Sequence, residues 1–348
     1  MIPIQNIYYM LSYTFRNLNE QGYKELATEK FENTADLMAA ILQLSIAKQL
    51  KKGLGKGYVD YSEPISLVRG KIDIAESIKT QSLRRNQLFC TYDNFTENNV
   101  KNRIIKSTVM LLLKGNIKPK RKKELRKLMI YFGNVSTINL YSVNWNMQYN
   151  RNNQSYRMMI SVCYLIVKGL LQTNTDGKTK LMDFLDDEKM YHLYEKFVLE
   201  YYKRHYPEII TTATQIDWSL DDDMNEMLPK MQSDIHLQRD NTVLIIDTKY
   251  YSHIMQEHLD KQSIRSDHLY QIFTYVKNRS YEFGDIDNTV SGMLLYAKTD
   301  EETHPDVTYK MHGNKISVRT LDLNLPFADI AKQLDMIIKE HFEGVMKN

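Results

Sequence analysis

Two periods of hydrophobic spacing run along this chain. From Asn6 to Leu18, Ile7, Met10, Leu11 and Phe15 recur three or four apart, which predicts a helix with one apolar face. The run ADLMAAILQLSIAKQL, Ala35 to Leu50, predicts a second helix, ended by KKGLGKG at Lys51 to Gly57. In YVDYSEPISLVRGKIDIAESI the period drops to two, with breaks at Pro64 and Gly70. That predicts short strands in a small curved sheet or barrel. Helical spacing returns in NRIIKSTVMLLLKG, from Asn102, and in the basic KPKRKKELRKLM, from Lys118. VSTINLYSVNW reads as a strand and loop.

The polar stretch NMQYNRNNQ, residues 146 to 154, divides the pattern into halves, 1–150 and 151–348. Beyond it, SYRMMISVCYLIVKGLLQ reads as a buried helix. DDEKMYHLYEKFVLEYYKRHYP follows as an amphipathic helix. It has Tyr191, Tyr194, Phe197, Val198 and Tyr201 on one side and Pro207 at its stop. Strands are predicted at MQSDIHLQ, TVLIIDTKYY and TVSGMLLYA, a helix at SDHLYQIFTYVKNR, a hairpin at VTYKMHGNKISVRTLDL and a final helix at FADIAKQLDMIIKEHF. The fold class expected is α/β: a C-terminal mixed sheet flanked by helices, with an N-terminal α+β domain containing a small β-rich region.

Composition narrows the classes. With 348 residues, 43% hydrophobic and 26% charged, the chain should be globular and can support two domains. Its net charge of +3 does not by itself call for nucleic acid, so local patches matter more. Cys90 and Cys163 are far apart, which argues against a zinc cluster or disulfide framework and fits a reducing compartment. No apolar run approaches the roughly 20 residues of a membrane span. A cytoplasmic protein without a membrane role is expected.

The chemistry concentrates where VLII ends in Asp247. A two-residue turn at Asp240-Asn241 sets Arg239 against Thr242 and, in the same register, Asp234 against Asp247. Lys249, two residues on, shares the face of Asp247. Opposed carboxylates repel unless a cation sits between them, and magnesium accepts one or two carboxylates with water completing its shell. Two acids holding such an ion beside a lysine suit metal-assisted hydrolysis of a phosphodiester. The plainer alternative is a surface Asp–Lys ion pair at a strand end. Glu195 lies near the border of the apolar stripe of its helix, either as a further ligand or as an ordinary solvated glutamate. Gln271 and Tyr275, four apart, share a helix face. They serve either to touch a nucleic-acid backbone and brace the site, or as solvent and core residues.

In order, Glu195, Asp234, Asp247-Thr248-Lys249 and Gln271-x-x-x-Tyr275 resemble the PD-(D/E)xK nucleases with a trailing QxxxY. Ser233 stands in place of the motif's proline, and Asp247 where many members have glutamate. IPIQNIYYMLSYTF, LVRGKIDIAESIK, NRIIKSTVMLLLK, LPKMQSDI and LIIDTKYY, spread over almost the whole chain, are similar to the McrC family. That resemblance implies a restriction-endonuclease-like C-terminal domain and a type IV restriction subunit for phage defence. It cuts DNA containing modified cytosine, with Mg2+ (or Mn2+) held by Asp234, Asp247 and the Thr248 carbonyl. Lys249 is implied as catalytic, with Glu195 assisting. It also implies an AAA+ GTPase partner of the McrB type, a hexameric ring bound and stimulated through the N-terminal domain. Residues 58 to 95 are the expected contact, with Arg69, Lys71, Arg84 and Arg85 as candidates there; each reads equally well as a solvated charge. This chain should bind no nucleotide itself. DGKTK at Asp176 to Lys180 lacks the first glycine of a phosphate loop, and GLGKG at Gly53 lacks the spacing. KPKRKKELRK reads either as a phosphate contact or as a solvated helix face. The alternative function is a mainly regulatory GTPase-activating and assembly subunit with weak or lost nuclease.

Overall fold

The computed structural model describes the chain except residues 1, 16–17, 19–22, 151–152, 174–178, 182–186, 223–225, 252–254, 259–260, 299–300, 302–303 and 347–348. Most of DGKTK lies outside the described residues. Two compact units emerge, Met1–Lys30 with Asp186–Asn348, and Phe31–Leu185. This division differs from a cut at residue 150. Helix α1 (Ile4–Thr14) belongs with the C-terminal part because its buried Asn6 donates to the carbonyls of Leu323 and Leu325, at 2.7 and 2.8 Å. Tyr9 also stacks on Phe327.

The unit 31–185 begins with α2 (Thr34–Leu50), whose N-cap Asn33 accepts from Asp36 N at 2.8 Å. Strands β1 (Gly57–Ile65), β2 (Lys71–Ile72) and β3 (Leu88–Thr96) form an antiparallel sheet in the order β1-β3-β2. The expected small β-region is therefore present, but IAESIK is helix α3 (Ile74–Lys79), not strand. Asp73 caps it by accepting from Glu76 N. Helices α4 (Val100–Lys114), α5 (Pro119–Met129) and α6 (Gln154–Leu165) follow. VSTINLYSVNW forms only a short 3-10 turn at Leu140–Ser142. The unit ends with the paired β4 (Leu171–Thr173) and β5 (Thr179–Leu181).

The other unit resumes at α7 (Asp187–His205), then β6 (Ile210–Thr212), β7 (Gln215–Ile216), β8 (Met231–Gln232), β9 (Ile235–Arg239) and β10 (Thr242–Lys249). β11 (Met255–His258) and β12 (Lys261–Ile264) precede α8 (Ser266–Tyr281). β13 (Thr289–Ala297), β14 (Val307–Met311), β15 (Asn314–Leu321) and α9 (Phe327–Met346) complete it. Six strands make one mixed sheet, β14-β15-β13-β10-β9-β6. β10 runs parallel to β13 and antiparallel to β9. Val243, Ile245, Leu294 and Ile316 pack against Ile272, Tyr275 and Val276 of α8. The alternate residues Leu244, Ile246, Met293 and Leu295 are equally buried. The second face is therefore covered too, and α7 and α9 are the remaining helices against this sheet. No helix among the described residues is long and apolar enough to cross a membrane.

Candidate active site

The site is built on the β9–β10 hairpin. Its turn forms at Asp240-Asn241, with Asp240 at φ +51°, a left-handed conformation that aspartate and asparagine tolerate. Arg239 pairs with Thr242, and pairing continues to Ile235 opposite Ile246. The expected register is therefore observed, but the ladder stops one pair short of Asp234 and Asp247. Released from it, Asp234 turns its carboxylate onto the next residue of β10. Its Oδ2 accepts from both the amide and the hydroxyl of Thr248, each at 2.7 Å. Tyr191 Oη of α7 also donates to that oxygen at 3.4 Å. Asp234 Oδ1 accepts no hydrogen bond among the described residues.

Asp247 and Lys249 point to the α8 face, as the period of two requires. Both are buried, and Lys249 Nζ lies 2.5 Å from Asp247 Oδ2. The contact is a charge pair without hydrogen-bond angles, so the buried Oδ2 has no directed donor. Burial raises the Asp247 carboxyl to about 6. Lys249 opposes that shift, while Asp234 and Glu195 add to it. The rise survives because one ammonium is set against both burial and two neighbouring acids.

Lys249 has a second restraint. Its ammonium donates to Gln271 Oε1 at 3.1 Å, and Gln271 Nε2 donates to Tyr275 Oη at 2.9 Å. The two α8 residues, one turn apart, therefore act in series on the lysine. Gln271 is thus engaged within the protein, in the supporting role that was one expectation for this pair beside a nucleic-acid contact. Glu195 sits one turn after Tyr191 on α7. Its carboxyl is raised by burial and then by Asp234, and His192 Nδ1 lies 3.6 Å away.

Two neighbours carry no motif in the sequence. Tyr191 has its phenol pushed up by burial and by Asp234, Glu195 and Asp247, so it stays a neutral donor among acids. His268 is buried, lies 2.7 Å from Tyr296 Oη through Nδ1, and stacks on Tyr251. Burial, then the Lys249 charge, lowers it to about 4, which keeps the imidazole neutral at pH 7. Only the spacing of Tyr191 and Glu195 could have flagged the first, and nothing local flags the second.

Among the described residues, no three His, Cys, Asp or Glu side chains gather into a ready metal cage. The donor set still fits one hard cation. One buried oxygen of Asp247 meets only the Lys249 charge, and one oxygen of Asp234 accepts no hydrogen bond among the described residues. The Thr248 carbonyl belongs to the same stretch of β10 whose amide meets Asp234 beyond the end of the ladder. Two carboxylates and one carbonyl, with water for the rest, match magnesium's preference.

In the other unit, Arg69, Lys71, Arg84 and Arg85 are all exposed near β2 and β3, and Arg69 lies over the Tyr92 ring at 5.6 Å. Leu67, Ile74, Ile78 and Leu83 of the same segment are exposed as well, apolar groups whose exposure the sequence pattern alone does not reveal.

Comparison with known proteins gives one consistent answer. The model of a family described as "McrBC 5-methylcytosine restriction system component" matches residues 5–297. "Type IV methyl-directed restriction enzyme EcoKMcrBC" of Escherichia coli (strain K12) is 29% identical over 349 residues, covering 99% of both chains. A solved structure described as "Refined half-complex from tetradecameric assembly of Thermococcus gammatolerans McrB AAA+ hexamers with bound McrC" aligns with 97% of this chain and 76% of its own. Its TM-score is 0.52 at 18% identity, a likeness of fold alone.

Proposed function

Because the chain belongs to the McrBC 5-methylcytosine restriction system component family, we propose that it is the DNA endonuclease subunit of a GTP-dependent restriction complex. The single observation that carries this reading is the convergence of Asp234, Asp247 and Lys249 at one end of β10, with an Asp247 oxygen held only by the charge of a restrained ammonium. The mixed sheet with α7 and α8 around that site accords with a restriction-endonuclease-like, PD-(D/E)xK domain. Asp234, Asp247 and the Thr248 carbonyl would hold Mg2+, or Mn2+. When bound, such an ion supplies charge neutralisation at the scissile phosphate and makes water a better nucleophile.

The protein's own groups do the rest. Thr248 and Tyr191 fix one oxygen of Asp234 and leave the other without a hydrogen bond among the described residues. Gln271, braced by Tyr275, holds the Lys249 ammonium where it orients the attacking water and meets the charge building on phosphorus. Glu195, its carboxyl raised by burial, is suited to exchange a proton near that water. As the water oxygen bonds to phosphorus, the bond to the leaving sugar oxygen breaks, and that oxygen takes up a proton.

The partner is an AAA+ GTPase ring of the McrB type, engaged through residues 58–95. The exposed apolar residues Leu67, Ile74, Ile78 and Leu83 of that segment, with the exposed Arg69, Lys71, Arg84 and Arg85, have the composition of such a contact. Those exposed residues also favour the second reading, a mainly regulatory GTPase-activating subunit. The test is cleavage of DNA with and without 5-methylcytosine, in Mg2+ and GTP, with the AAA+ partner. Asp247→Ala and Lys249→Ala should abolish cutting and preserve GTPase stimulation. Wild type that stimulates GTPase but never cuts would favour the regulatory reading.

A further inference from the structure

Helix α5 carries charge that the fold does not use. KPKRKKELRK, residues 118–127, holds seven basic residues and one acid. Two of the seven are engaged inside the unit. Arg121 is buried and pairs with Asp36 at 2.9 Å through Nε, while Lys118 donates its amide to Asp36 and lies over the Phe31 ring. Leu125, one turn after Arg121, is fully buried, so the two define the inward face.

Of the other five, Lys120, Lys123, Arg126 and Lys127 are exposed, and Lys122 is half-buried at the edge of the inward face. Lys120, Lys123 and Lys127, spaced three and four apart, form one exposed stripe about 10 Å long. Lys122 and Arg126, four apart, form a second beside it. Among the described residues, Lys120, Lys122, Lys123 and Arg126 make no ion pair. The lone acid, Glu124, is taken by Lys127 at 2.8 Å. Its carboxyl is held below the usual range by that contact and by Lys123 and Lys120. Four cations without an ion pair therefore line the outer half of the helix, and one acid is set against five basic groups.

Folding alone does not favour this placement. A helix N-terminus is electropositive and prefers acids in its first turn. The first turn of α5 has none, and the lysines begin there. Dipole and side chains thus add to one positive field, and the inward Asp36 is the acid set against it. Such a field is relieved by a polyanion from outside.

We propose that the outward face of α5 binds the phosphates of duplex DNA, through Lys120, Lys123 and Arg126 with Lys122 and Lys127 beside them. This rests on the reading of DNA as the substrate and adds a contact in the unit 31–185, which does not carry the acids. Contacts of this kind hold any sequence equally and position the duplex without reading it.

The test is the salt dependence of duplex binding by the full chain, followed by fluorescence anisotropy without divalent ions so that no cleavage intervenes. The triple variant K120Q/K123Q/R126Q should bind more weakly and flatten the slope of log K against log salt by about 2.7, three contacts at about 0.9 each. K120R/K123R/R126K, which keeps the charges, should bind as wild type does, which separates lost phosphate contacts from lost folding. An unchanged slope in the glutamine variant, with wild type still binding, overturns the proposal and leaves the nuclease reading intact. The proposal also falls if the glutamine variant binds DNA normally but loses the GTPase partner, since α5 would then face protein. Failure of wild type to bind DNA at all would remove the substrate reading itself.

Discussion

Replacing Asp247 by asparagine should change how stability depends on pH. The wild-type carboxyl is raised from its ordinary 3.8 to about 6, mainly by burial. A raised acid favours the folded state only while protonated. Its contribution is complete below about pH 4 and is lost as pH rises through about 6. At about 1.36 kcal/mol for each pH unit between those two values, the loss comes to about 3 kcal/mol by neutral pH, net of the attraction from Lys249. Asp247→Asn keeps the shape and cannot ionise. The difference in unfolding free energy, wild type minus variant, should therefore fall by about 3 kcal/mol between about pH 4 and pH 7. Of the two tryptophans, Trp218 lies in the unit carrying the site and Trp145 in the other. Denaturant titrations monitored by tryptophan fluorescence in a Trp145→Phe background then report on the relevant unit. A difference that stays flat across that pH range would refute the claim that Asp247 is held ionised against burial.

Three further outcomes follow from the same geometry. Lys249→Gln should lower the cleavage rate by at least about 10²-fold with DNA binding retained, the scale expected when one charge-stabilising donor is lost. Gln271→Ala should cost about 10–100-fold in kcat with little change in KM, and Tyr275→Phe about fivefold, because both act through Lys249 and not on DNA. Single-turnover cleavage at saturating partner distinguishes these. Gly292→Ala should destabilise the unit by about 1–3 kcal/mol in denaturant titration. The added Cβ would lie 2.7 Å from Val276 Cγ2 and 2.8 Å from Ile272 Cγ1, in the contact between β13 and α8.

The hairpin was legible because its determinants are local. Asp240-Asn241 fits a tight turn by residue type, VLII fits a buried strand, and a period of two then fixes where Asp247 and Lys249 point. Position along a face does not reveal what the face meets. Gln271 turned inward to Lys249, and Tyr191 and His268 joined the site, through packing of α7 and α8 that no spacing rule encodes. The end of the ladder at Ile235 was equally invisible, although it frees Asp234 to grip Thr248. The compact units divide the chain elsewhere than at residue 150 for a similar reason. A polar stretch marks a weak point in sequence, whereas Asn6 bonding to Leu323 and Leu325 is a contact across more than 300 positions. In the other unit, IAESIK became a helix because Asp73 supplies a cap, and VSTINLY found no partner strand.

The central claim is that Asp234 and Asp247 together grip one hard cation. Calorimetric titration of the full chain with Mn2+ tests it directly, comparing wild type with Asp234→Asn and Asp247→Asn. One binding event in wild type, lost in each variant, is the predicted result. Equal Mn2+ binding by all three proteins would contradict it.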